Sequence, residues 1–174
     1  MGPGHIAVAL AAKPIAPKAP LWALLAACEA ADLLSFVFLA VGLEKPAVST
    51  VDLVHGVRFI VPGSIPWSHG LFMSVVWSAL AALLAWLFLR DRRAATVIGL
   101  VVFSHWLLDL IVHLPDLPLF FAGSPKVGLG LWGSGPGLIA AGLLEFVMLG
   151  VGIVIYVRWW RKGRPASTNV EGLR

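Results

Sequence analysis

Apolar residues run almost without interruption through 21–43, 67–89, 95–114 and 137–157. Each stretch approaches or exceeds the roughly 20 residues that a membrane-spanning helix needs. A fifth run, 6–12, is too short to cross alone, and Pro14, Pro17 and Pro20 separate it from the first full stretch. The pattern predicts an all-α integral membrane protein: a bundle of four transmembrane helices plus a short N-terminal half-helix over 4–13. That half-helix is expected to be re-entrant or packed inside the bundle, because irregular backbone beside it is tolerated only where protein or water satisfies its polar groups. Residues 1–162 form a single transmembrane helical domain on this reading, and 163–174, "GRPASTNVEGLR", a polar tail with the composition of a disordered segment.

Composition agrees: 59% of residues are hydrophobic and 13% charged, against about 25% charged in soluble domains. The net charge of +4 is concentrated in "RDRR" (90–93) and "RWWRKGR" (158–164). Such clusters at membrane ends are topology signals rather than nucleic-acid sites. Together with Lys13 and Lys18 they place both termini in the cytoplasm, with the protein in a bacterial inner membrane. The opposite loops, 44–66 and 115–136, then face outward, and both are long enough to hold lids or interfacial segments. His55, in the first loop, reads as a surface residue. The single cysteine, Cys28, excludes an intramolecular disulfide and a cysteine-based zinc cage.

Against this apolar background the polar positions stand out. Stretch one carries Glu29 and Asp32, stretch two His69, stretch three His105, Asp109 and His113, and stretch four Glu145; His5 lies on the half-helix. An ionised group at the bilayer centre costs about 2.5–3.5 kcal/mol even on the lenient insertion scale. These groups are therefore expected to face one another, water or a metal. At about 100° per residue, His105, Asp109 and His113 share one helix face, as do Glu29 and Asp32. Counting a rise of about 1.5 Å per residue from the basic anchors stacks most of them in the outer half of the membrane.

Two good ligands one turn apart, His105 and Asp109, can bind one ion or act as a ligand with its orienting carboxylate. Imidazoles and carboxylates without thiolates suit zinc, manganese or iron. Zinc with an open position lowers the pKa of its water toward 7 and supplies a hydroxide for attack on an ester, amide or phosphodiester. Glu29 or Glu145 could serve as general base. No Gly-rich phosphate loop and no G-x-S-x-G elbow is present.

Four segments, "GHIAVALAAKP" (His5), "AADLL" (Asp32), "PWSHGLF" (His69) and "SHWLLDL" (His105, Asp109), follow one another over about residues 4–115. In order and spacing this pattern resembles the YdjM-like family of LexA-regulated, membrane-bound metal-dependent hydrolases, distantly like zinc-dependent phospholipases C. The chain departs from the family pattern in having Ala rather than Pro before Asp32, and Ser68 and Gly70 around His69. The resemblance implies a ligand set of His5, Asp32, His69, His105 and Asp109 for one divalent ion, or two, with zinc as first choice.

The expected function is hydrolysis of a membrane lipid or amphiphilic ester or phosphodiester by metal-bound hydroxide. Glu29, Glu145 and His113 would act as acid/base or supporting groups, and Lys126 would meet an anionic headgroup. Two alternatives use the same cluster: a di-iron oxidase or desaturase, and a non-enzymatic metal or proton transporter. A nucleic-acid partner is not expected, and no small-residue face specifies an oligomer.

Overall fold

The computed structural model describes residues 2–45, 49–52, 58–61, 65–121 and 123–163. His55 and residues 164–174 of the polar tail lie outside them. Seven helices and two short ribbons follow in the order α1 (Gly2–Ala12), α2 (Leu21–Cys28), α3 (Ala30–Ala40), β1 (Ser49–Asp52), β2 (Arg58–Val61), α4 (Pro66–His69), α5 (Leu71–Leu89), α6 (Arg92–Val112), β3 (Leu117–Pro118), β4 (Lys126–Val127) and α7 (Gly135–Lys162). β1 pairs antiparallel with β2, and β3 with β4.

Three of these helices, α5, α6 and α7, are long and apolar enough to cross a membrane; α2 and α3 together make a fourth candidate. The fold is that of an all-α integral membrane bundle. Half of the apolar window of α6 is buried, against 11% in α5 and α7, so α6 is the central helix. Elsewhere Phe36, Val37, Phe88, Leu100, Ile139 and Phe146 point outward from the bundle. Lipid satisfies such side chains, where water would penalise them.

The half-helix α1 packs inside the bundle, against α7, α2 and α6. Its contact with α7 is a close backbone approach: a Cβ on Gly152 would stand 2.6 Å from the Ala7 carbonyl oxygen. Small residues at such crossings let membrane helices meet through their backbones. α5 and α6 turn at Arg90, which takes the left-handed conformation (φ 52°), and Asp91, which accepts from the Ala94 N–H at 2.8 Å. That N–H, and then the Lys18 ammonium 2.9 Å away, hold the Asp91 carboxyl below the usual carboxylate range. The cap is therefore complete above about pH 4 and weakens as pH falls through the lowered value. Deeper in the same pair, the Ser78 hydroxyl donates to the Gly99 carbonyl at 2.6 Å. Such interhelical bonds average about 0.6 kcal/mol in membranes, so Ser78→Ala should lower stability by no more than about 1 kcal/mol in a reversible unfolding assay in detergent.

Two spans differ from the pattern of apolar residues. The first is broken: α2 and α3 meet at Glu29 with a bend of 56°. At that break the Cys28 carbonyl accepts from a side chain, His105, at 2.7 Å, while the new helix starts with the Leu33 N–H on the Glu29 carbonyl. The second, predicted over 67–89, begins only at Leu71. Residues Pro66–His69 form the separate single turn α4, and Gly70 between them is extended (φ −69°, ψ 140°). A Cβ on Gly70 would lie 2.4 Å from the Pro66 carbonyl oxygen, so the joint has no room for a side chain. The last span is longer than the predicted 137–157, and neither ribbon is foreshadowed by an alternating pattern.

Candidate metal centre

Four separate elements bring the five proposed ligands to one place: His5 from α1, Asp32 from α3, His69 from α4, and His105 with Asp109 from α6. Asp109 is the hub, with a side chain only 3% exposed. Its Oδ1 lies 3.3 Å from His5 Nε2, and its Oδ2 lies 3.2 Å from His105 Nε2 and 3.6 Å from His69 Nε2. Asp32 Oδ1 closes the other side, 3.2 Å from His69 Nε2 and 3.7 Å from His105 Nε2. Its side chain is 43% exposed, against 6% or less for the other four, so the cluster opens past Asp32.

Two overlapping groups of side chains could hold a metal ion: His5, His105 and Asp109, and Asp32, His69 and His105. Within each group the donor atoms all lie within 4.8 Å of one another. The ring nitrogens have a matching arrangement. His105 donates its Nδ1–H to the Cys28 carbonyl, which leaves a lone pair on Nε2 facing the carboxylates. His5 stacks on it with ring centroids 3.7 Å apart and planes within 8°. The buried Nε2 atoms of His5 and His105 have no well-formed hydrogen bond, only the Asp109 oxygens at 3.3 and 3.2 Å. Buried polar atoms are seldom left unsatisfied, and a cation between them would satisfy these. The donor set, imidazole and carboxylate, suits a borderline ion such as zinc, manganese or iron.

His69 is aimed by an arrangement with no obvious trace in the sequence. Its Nδ1 lies 2.8 Å from the Ser68 hydroxyl, and that hydroxyl lies 2.8 and 3.0 Å from the two oxygens of Glu44. Glu44, only 2% exposed, also accepts from the backbone N–H groups of Trp67 and Ser68 at 3.0 and 2.8 Å. The motif "LEKP" reads as a solvated loop, and only the return of the chain over α3 buries its carboxylate.

The remaining candidates surround the cluster or lie apart from it. His113, at the end of α6, places Nε2 3.9 Å from Asp109 Oδ2 and Nδ1 3.0 Å from Asp116, a carboxylate that the sequence pattern did not single out. Glu29 lies at the helix break, its Oε1 3.7 Å from Cys28 Sγ. Glu145 is buried on α7, near enough to Asp109 for the two charges to interact. Neither group of potential ligands includes Glu29, Glu145 or His113. Lys126 is exposed on the β3–β4 ribbon, outside the cluster.

Compared with known proteins, the chain matches no family model, no curated protein and no solved structure.

Proposed function

We propose that this protein is a membrane-embedded metal-dependent hydrolase acting on a lipid or another amphiphile. The carrying observation is the convergence of three imidazoles and two carboxylates from four elements on one buried point. The YdjM-like motif order supports the same reading. A single ion is the simpler occupant, because both groups of ligands include His105, whose Nδ1 is taken by the Cys28 carbonyl and whose Nε2 can serve one ion. That count also weighs against a di-iron oxidase.

When bound, a zinc-like ion supplies Lewis acidity and a water acidified toward neutral pH. The chain's own residues supply the rest. His5, His105 and Asp109 form a buried floor that excludes lipid and bulk water. Asp32 forms the open rim, where an ester or phosphodiester would approach from the bilayer. Glu29, three residues before Asp32, is the proposed base, and His113 with Asp116 steadies Asp109. By the positive-inside rule the rim belongs to the outer half of a bacterial inner membrane, and both termini to the cytoplasm.

The deciding experiment is elemental analysis of protein purified without chelators, followed by hydrolysis assays on long-chain esters and phosphodiesters. The expected result is one divalent ion per chain and a hydrolysis that stops when the ion is stripped and when His105 is replaced by Ala. A loaded protein inert on the whole panel would end the hydrolase reading and leave the metal centre. Bound iron with O₂ consumption would replace it with an oxidase.

A further inference from the structure

We infer that Glu44, acting through Ser68, is a positioning residue of this centre: it fixes a ring proton of His69 on Nδ1 and so reserves Nε2, which faces Asp32 and Asp109, for the ion. The inference rests on the metal reading above for its consequence, but not for its chemistry.

The chemistry is a matter of counting protons. Ser68 is fully buried and has one hydroxyl proton to place between two neighbours, Glu44 and His69 Nδ1. A carboxylate can only accept. Glu44 Oε1 receives the Trp67 and Ser68 N–H groups and Oε2 faces the Ser35 hydroxyl at 3.3 Å, so these neighbours of the carboxylate, among the described residues, are donors. The Ser68 proton, 2.8 Å from Oε2 and 3.0 Å from Oε1, completes this set. The lone pairs of the same hydroxyl are left facing His69, which must then carry its proton on Nδ1. Nε2, hydrogen-bonded to Asp32 at 3.2 Å and 3.6 Å from Asp109, is the nitrogen left for the ion, which would take the place of any proton held there. At His105 a backbone carbonyl does the same work; at His69, on a single-turn helix between two joints, a buried anion does it through a hydroxyl.

The two ends of this relay lie on either side of the 45–65 segment. Glu44 lies in the turn after α3, its N–H on the Phe38 carbonyl at 3.1 Å, and Ser68 belongs to α4, so the same carboxylate that sets the Nδ1 proton also joins the end of α3 to α4. Its structural role and its positioning role can be separated. In Ser68→Ala the backbone N–H groups still reach Glu44, so the tie survives while His69 loses its acceptor. Ser68→Thr restores the hydroxyl. In Glu44→Gln the amide presents N–H toward the Ser68 oxygen, freeing the hydroxyl proton to turn to Nδ1 and moving the ring proton to Nε2, against the ion.

The test has two readouts on full-length protein in detergent micelles. Nitrogen NMR of labelled histidines should show His69 Nδ1 protonated and hydrogen-bonded in the wild type, with or without zinc. Ser68→Ala and Glu44→Gln should lose that Nδ1 proton while the helical circular dichroism of both variants is retained. Zinc affinity, measured by competition with a chromophoric chelator, should fall about 10–100-fold in both variants and recover in Ser68→Thr. A wild-type His69 whose Nδ1 carries no proton, or a Ser68→Ala variant with an unchanged Nδ1 signal and unchanged zinc affinity, would overturn the proposal. Should the wild type bind no zinc, the metal reading falls separately, and the tautomer spectrum alone decides for or against Glu44.

Discussion

Asp109→Ala should leave the protein without metal. Asp109 has four imidazoles within 3.9 Å, and its two oxygens face different ones. Partners that merely orient a ligand are worth about 10–100-fold in affinity, so loss of the shared carboxylate should exceed that range and empty the site under ordinary dialysis. Thermal unfolding checks it without any assumption about the reaction. A ligand at 100 times its Kd stabilises the native state by about 2.7 kcal/mol. Added zinc should therefore raise the melting temperature of the wild type and leave that of Asp109→Ala where it was. A full zinc shift in the variant would show that the ion sits elsewhere.

The second large effect is expected from a residue that belongs to no ligand set. Gly152→Val on α7 places a branched side chain where a Cβ alone would be 2.6 Å from the Ala7 carbonyl oxygen and 2.9 Å from its Cα. Backbone cannot yield as a flexible side chain can, so α1 must move away from α7. Overpacking of this kind costs about 1–3 kcal/mol. Here it also draws His5, two residues from Ala7, off Asp109. Zinc affinity should fall by about tenfold or more, comparable to losing an orienting partner. Gly150→Val is the control: a Cβ there meets nothing within 4 Å, and neither stability nor zinc binding should change. Equal behaviour of the two variants would mean that α1 is not held by this crossing.

The unequal legibility of the chain has a physical cause. Apolar runs report where a helix can lie in lipid, and those of α5, α6 and α7 are long enough to be read directly. They do not report where a helix breaks, since Glu29 sits among residues as apolar on one side as on the other. The bend shows only once His105 is seen to take the Cys28 carbonyl. His105 and Asp109 were legible as a pair because one turn of helix is a fixed distance. His5, by contrast, entered only through the resemblance to a family pattern: nothing local distinguishes it, and its place depends on α1 packing against α7. Glu44 was missed for the same reason in stronger form. A glutamate beside lysine and proline has the look of a wet loop, and its burial is decided wholly by chain that returns 24 residues later to Ser68.

The crossing of Ala7 and Gly152 also orders events in time. His5 is seated by α7, the helix that follows all five donors along the chain, so α7 must be in place before the donor on α1 can join the other four. An ion captured earlier would meet an incomplete set and exchange freely. On the metal reading, tight retention would mark a chain in which α1 has already found α7, and the ion would act as a seal on completed assembly.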